Sequence, residues 1–209
     1  MHSLILVSDA GSSGYADWSS QWQRQYPDTT LLLKNEEGPS LQQALKRLSQ
    51  AIFARPHSVL VGHGVGAILI AHLAARLVDL PIAGALLVAP TDVEMDGSGP
   101  EHARSFGPIP IEPFDFLALV AASSNDPYMD FARARILANL WEAAFLDLGS
   151  VGHMNAASGH GPWPGGLQLL ERFRTPRQQA RPKRRESPGQ ALHVAEKGSR
   201  PTCDAEGLF

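Results

Sequence analysis

One cysteine, Cys203, stands in 209 residues. A single thiol can form no internal disulfide and cannot assemble a cysteine metal cluster. Net charge is also scarce, at a formal −3 with a pI near 6.2. That removes the electrostatic reason to expect nucleic acid or a membrane surface as a partner. Long apolar runs are missing too. The run after Met1 is only Leu4–Val7, with no basic segment before it, so no signal peptide is expected. The longer apolar stretches are interrupted by His72, Arg76 and Asp79, so no membrane span is expected. No histidine pair shows H-E-x-x-H spacing, and neither a metal nor another cofactor is expected. A cytoplasmic protein remains as the default.

What is present is apolar content of 44%, enough for a sizeable core in one domain. Strand and helix patterns alternate along it. Leu4–Val7 reads as a strand, Asp17–Gln25 as a short helix and Thr30–Leu33 as a strand. Ser40 is a good N-cap for a helix to about Arg55, with Leu41, Ala44, Leu45, Leu48 and Ile52 on one face. Strand Ser58–Val61, helix Val65–Val78 and strand Ala83–Val88 follow, and Thr91–Pro113 reads as a Gly/Pro-rich loop too short for a helical cap. The series closes with strand Phe116–Ala121, helix Tyr128–Trp141, strand Ala144–Leu148 and helix Gly166–Phe173. Continuous apolar strands between amphipathic helices predict an α/β fold with a mostly parallel, doubly wound sheet.

After Thr175 the pattern stops. Seven basic residues (Arg177, Arg181, Lys183, Arg184, Arg185, Lys197 and Arg200) face four acidic ones (Glu186, Glu196, Asp204 and Glu206), and prolines punctuate the segment. Residues 1–174 are therefore expected to form the folded domain and 175–209 a disordered basic tail.

The chemistry concentrates around Ser58–Ala67, which reads S-V-L-V-G-H-G-V-G-A. A β-branched run, a turn between Gly62 and Gly66, and a helical apolar stretch make the strand–turn–helix of a nucleophile elbow. The middle position, where such an elbow carries serine, is Gly64. A serine hydrolase on such a fold needs nucleophile, acid and base in that chain order. Asp126 follows the Phe116–Ala121 strand, and His153 lies on the loop after Ala144–Leu148. Both belong at the C-terminal edge of the sheet, where open α/β folds place their sites. Asp126 would orient the imidazole and His153 would act as base. Taken singly, Asp126 also fits a helix N-cap ahead of Pro127, and His153 an ordinary loop residue. Two amides would form the oxyanion hole: Val65, after the nucleophile position, and Ala10, in the loop after the first strand. His63, inside the elbow, is expected to pack rather than react, and His72 to be satisfied locally.

These blocks resemble a family of small single-domain serine hydrolases that includes the retinoblastoma-binding serine hydrolase and the YdeN-type proteins. Family members carry G-H-S-x-G-A, V-A-P-x-D-V-E, S-x-N-D-P-Y and G-H-x-N-x-x-S-G-x-G-x-W-P. Here stand Gly62–Ala67, Val88–Glu94, Ser124–Tyr128 and Gly152–Pro164, together with Ser13, Gly14 and Trp18 of an early segment. The resemblance covers about residues 3–174. It implies a cap-free α/β-hydrolase fold, supports Asp126 and His153 as acid and base, and makes Gly64 the position of the family's nucleophile. It also shows a second departure: the family's Pro-Gly at the oxyanion loop is Ser8-Asp9, which brings a carboxylate to a place where negative charge develops.

The expected function follows. The chain is serine-hydrolase-like, in a family that hydrolyses esters or amides, with an incomplete triad and little or no turnover. Losing a triad nucleophile costs roughly a million-fold in rate. Its ligand would be small and ester- or amide-like, with no nucleic acid or membrane, and a protein partner has no identifiable motif. Three other readings stand beside it. The Asp126–His153 dyad could activate water without a covalent step, with Ser12, Ser13 or Ser123 as poorer substitute nucleophiles because none sits in an elbow. The scaffold could serve as a ligand- or protein-binding module. Gly62, Gly64 and Ala67 also fit G-x-G-x-x-A of a dinucleotide site, but the next strand ends in Ala89-Pro90 without the acidic residue that such a site needs.

Overall fold

The structure, a computed structural model, describes residues 3–8, 18–26, 30–32, 40–95 and 101–174. The expected tail 175–209 and the loop holding Asp9, Ala10, Ser12 and Ser13 lie outside the described residues.

Six strands form one sheet: β1 (Leu4–Val7), β2 (Thr30–Leu32), β3 (Ser58–Gly64), β4 (Ile82–Pro90), β5 (Ala118–Ala122) and β6 (Ala144–Asp147). Their order is β2-β1-β3-β4-β5-β6, and every pairing is parallel. Parallel neighbours need crossovers. The helices α1 (Trp18–Gln25), α2 (Leu41–Ala54), α3 (Val65–Arg76), α4 (Phe131–Leu140) and α5 (Pro164–Arg174) lie between or after the strands.

The two-residue period of the strands sorts the core into two layers. Ile5, Val7, Leu60, Ala85, Leu87 and Val120 face Leu45, Leu48 and Ile52 of α2, most of α3, and Ala134 and Leu137 of α4. Leu4, Leu6, Val59, Val61, Leu86 and Val88 face Trp18 and Trp22 of α1 and Leu170 of α5. Every residue of β3 and β4 is buried, as central strands covered on both faces must be.

Local chemistry sets the boundaries. Ser40 caps α2 in a capping box: its hydroxyl accepts from Gln43 N, and the Gln43 side chain accepts from Ser40 N. Helix α4 begins at Phe131 rather than Tyr128, because the Asp130 side chain accepts from Arg133 N at 2.9 Å. The Thr91–Pro113 segment is not all loop. Glu101–Phe106 forms a short 3₁₀ helix that buries Ala103 and Phe106 in the α3-side core. Among its described residues, the segment thus joins the core rather than adding a separate layer.

Helix α3 approaches the sheet very closely. A Cβ built on Gly66 would lie 1.9 Å from the Val7 carbonyl oxygen, which is backbone and cannot step aside. Gly66→Ala should therefore destabilise the fold by about 3 kcal/mol. For a domain of this size that is a fall of about 6–12 °C in Tm. Thermal unfolding followed by circular dichroism checks this, and a Tm within about 2 °C of the parent would refute the close contact.

Candidate active site

Strand β3 runs on past Val61 to Gly64, which is also the N-cap residue of α3. Gly64 has φ 59° and ψ −122°, a conformation that costs a residue with a Cβ about 1–3 kcal/mol. A Cβ on Gly62 would come within 2.8 Å of the Ala67 backbone, so the strand-to-helix reversal needs glycine there as well. Val65 opens the helix, and no side chain caps this end. Its first amides and dipole favour an anion. Thr91 N donates to the Gly64 carbonyl at 3.3 Å, tying the turn to the end of β4.

Asp126 and His153 meet. The Asp126 oxygens lie 3.0 and 2.9 Å from His153 Nδ1, with side-chain exposures of 2% for Asp126 and 6% for His153. Both oxygens of an ionised carboxylate only accept, so Nδ1 carries the proton and the neutral ring keeps its basic lone pair on Nε2. Asp126 does not cap α4. Its Oδ1 instead accepts from Tyr128 N at 2.9 Å, an Asx turn that fixes the carboxylate. The Tyr128 ring stands edge-on to the imidazole, with centroids 4.7 Å apart.

A second set of bonds stitches the loop after β5 to the loop after β6. Ser124 N donates to the Gly149 carbonyl at 2.9 Å, Val151 N to Ser123 Oγ at 3.0 Å and Gly152 N to Asn125 Oδ1 at 2.7 Å. Ser123, weighed from sequence as a substitute nucleophile, is 1% exposed and donates to Asn125 Oδ1 at 2.8 Å. It is part of the stitching. Asp92 N donates to the Tyr128 carbonyl at 2.8 Å, and the Asp92 and Glu94 carboxylates face Arg133 of α4. None of these bracing roles was assigned from sequence, although Asn125, Asp92 and Glu94 lie inside the matching blocks.

His63 packs, as expected, but it also bonds. Its Nε2 donates to the His153 carbonyl at 2.8 Å, and the two ring centroids are 4.9 Å apart. Burial, helped by the neighbouring His153, lowers its pKa from 6.5 to about 3. His72 is satisfied within the fold. Its Nε2 donates to the Phe106 carbonyl and its Nδ1 accepts from Arg76 at 2.9 Å, while burial above all lowers its pKa. Among the described residues no group of three or more acidic, histidine or cysteine side chains could hold a metal ion. No helix there is long and apolar enough to cross a membrane.

The depressed His63 pKa has a thermodynamic consequence. Between pH 6.5 and about 3 the unfolded chain binds a proton at His63 that the folded chain refuses, so stability falls as pH falls through that window. The slope contributed is at most about 1.4 kcal/mol per pH unit. His63→Gln, which keeps a donor and removes the titration, should lose less stability than the parent between pH 6.5 and 4. Urea unfolding at stepped pH measures it. Parallel curves for the two proteins would show that His63 is not held neutral.

Set beside known proteins, the chain matches a serine hydrolase family model over residues 4–172. It is 31% identical to a protein described as a YdeN-like hydrolase from Pectobacterium atrosepticum, with a TM-score of 0.69, covering 83% of this chain and 90% of that one. The ydeN gene product of Bacillus subtilis shares the fold at 18% identity and a TM-score of 0.64, over 83% and 98% of the two chains. A meta-cleavage product hydrolase from Pseudomonas fluorescens, 12% identical, does so at a TM-score of 0.55 over 83% and 88%. No curated protein matches the chain. With its single parallel sheet and these neighbours, the domain has the α/β-hydrolase fold, and the chain belongs to the serine hydrolase family.

Proposed function

We propose that this chain is a serine hydrolase family member in which Gly64 occupies the nucleophile position, so that the site binds ester- or amide-like ligands without forming an acyl-enzyme. The observation that carries the reading is the pair of site fragments: a buried Asp126–His153 dyad, and a strand-to-helix turn whose apex is a glycine at φ 59°. In a complete site a serine hydroxyl at that apex would pass its proton to His153 Nε2 and attack the carbonyl. Asp126 would hold the resulting imidazolium. The Val65 amide, at the uncapped start of α3, would receive the developing oxyanion together with Ala10. With no hydroxyl at residue 64 the first bond cannot form, and the remaining groups can only bind, orient and polarise. Asp9 precedes Ala10 in the sequence, and a carboxylate brought to that loop would oppose an oxyanion. The reading requires no metal or organic cofactor, no nucleic acid and no membrane. The cytoplasm stays the expected location from sequence, and a protein partner is the alternative occupant of the site.

Gly64→Ser tests this directly. A fluorophosphonate probe should leave the parent unlabelled and label the variant, and hydrolysis of small p-nitrophenyl esters should rise by about 10³-fold or more. The variant should also be less stable by about 1–3 kcal/mol, since serine now occupies the left-handed turn. Labelling of the unmodified protein at a serine would overturn the reading. Hydrolysis by the unmodified protein that needs His153 but yields no labelling would replace it with water activation by the dyad. Should Gly64→Ser stay silent, the Asp9→Gly and Gly64→Ser double variant decides whether the carboxylate blocks the oxyanion site.

The same reading places the working part of the chain within residues 1–174. Ending the chain at Thr175 should leave Tm within about 2 °C of the full-length value, because the segment beyond lacks the apolar periodicity that buries surface. A larger fall after truncation would show that the tail packs on the domain.

A further inference from the structure

The Asp126 carboxylate fixes the His153 ring at one atom, Nδ1, and leaves the peptide that carries the ring to be fixed by something else. That peptide sits in an unusual stretch of backbone. Gly152 has φ 61° and Met154 has φ 52°, so left-handed residues flank His153 on both sides. A non-glycine residue persists in that region only where its surroundings hold it. Here two successive carbonyls are each taken by a buried ring N–H from a regular element. His63 Nε2, on β3, donates to the His153 carbonyl at 2.8 Å. Trp18 Nε1, on α1, donates to the Met154 carbonyl at 2.7 Å. The two donor rings also touch edge-on, with centroids 5.7 Å apart, and they are only 2% and 1% exposed.

We infer that His63 and Trp18 are positioning residues for His153, whose paired donors hold the base loop in the one conformation that keeps the imidazole on Asp126. The inference rests on the reading of Asp126 and His153 as the acid–base dyad, and it goes beyond that reading by assigning the residues that aim it. His63 suits the task because burial keeps it neutral in a single tautomer, so its donor persists whether or not His153 is charged. His63 also adjoins Gly64. The strand end that forms the elbow therefore also grips the base loop, and the two halves of the site share one rigid support.

The test separates donor position from mere polarity. Glutamine at residue 63 puts an amide N–H near the place of Nε2, whereas asparagine puts it near Nδ1. The first readout is the low-field Nδ1–H resonance of His153 in the unmodified background, followed with isotope-labelled histidine. It should persist in His63→Gln and be lost to exchange broadening in His63→Asn and Trp18→Phe. The second readout is turnover in the Gly64→Ser background. There His63→Asn should lower kcat by about tenfold to a hundredfold with KM within about twofold, and His63→Gln should recover most of the loss. A His63→Asn protein that folds and keeps both the resonance and kcat overturns the proposal, as does equal loss in the Asn and Gln variants. Absence of the resonance from the unmodified protein overturns it too, together with the dyad. If His63→Asn does not fold, Trp18→Phe carries both readouts with the same decision. A Gly64→Ser background that stays silent even with Asp9→Gly added, while the resonance pattern is as expected, would count against Gly64 as the nucleophile position and in favour of the positioning role.

Discussion

Helix α3 starts where it does because backbone meets backbone at β1 and β3. Gly66 lies against the Val7 carbonyl and Gly62 against the Ala67 backbone, and neither approach survives a Cβ. This contact forces the chain to reverse within Gly62–Gly66. The reversal puts Gly64 into left-handed backbone and points the first amides of α3 at the C-terminal edge of the sheet. Asp126 and His153 arrive at the same edge because β4, β5 and β6 follow β3 across the sheet, each parallel to the last, so that all their C-terminal ends lie along one side. Once α3 is seated, the loops after β5 and β6 have few places to go.

Those two loops are then held by polar bonds as well as by the burial of Met154. Ser123, Ser124 and Asn125 bind backbone groups of residues 149–152 from one side, and His63 and Trp18 bind those of 153 and 154 from the other. Backbone of this kind, with Gly149, Gly152 and Met154 all at positive φ, has no ladder of its own and must find partners in its neighbours. The loop after β6 is therefore an irregular segment in which the amides of Gly149, Val151 and Gly152 and the carbonyls of Gly149, His153 and Met154 are all bonded, which is what a precisely aimed side chain requires.

Much of this was legible in the sequence, and the reason differs from part to part. The sheet could be read because β3 and β4 are runs of apolar residues with turn signals at each end, and such runs have few alternatives. The meeting of Asp126 with His153 could be read because each stands on the loop after a strand, at the same edge of the sheet. The start of α4 was misplaced at Tyr128 because Asp126-Pro127 mimics a cap, while the working cap, Asp130, lies one turn further on. The 3₁₀ helix Glu101–Phe106 was invisible because six residues carry no useful periodicity, and its place is set by His72 and the α3 core rather than by its own sequence. The His63–His153 bond spans ninety residues of chain. Sequence placed both residues at the same sheet edge, but not the direction of the ring.

On the proposed reading, the parts of the site do not cost the same to lose. A serine at residue 64 would sit at φ 59°, so its replacement by glycine relieves about 1–3 kcal/mol of backbone strain. Removing His153 would instead leave the Asp126 carboxylate, 2% exposed, without its partner, and removing Asp126 would strand a buried imidazole N–H. Leaving a buried polar group unpaired costs about 1–3 kcal/mol, and more where the group is a carboxylate, a sizeable share of the 5–15 kcal/mol that holds a typical domain together. A hydrolase scaffold released from the need to turn over would thus shed its nucleophile first, with a gain in stability, and keep its acid and base for as long as it folded. An intact dyad is consequently weak testimony for catalysis. What it reports is that the fold has been built around these two side chains; on the proposed reading, the chemistry turns on the one position where glycine is the more comfortable residue.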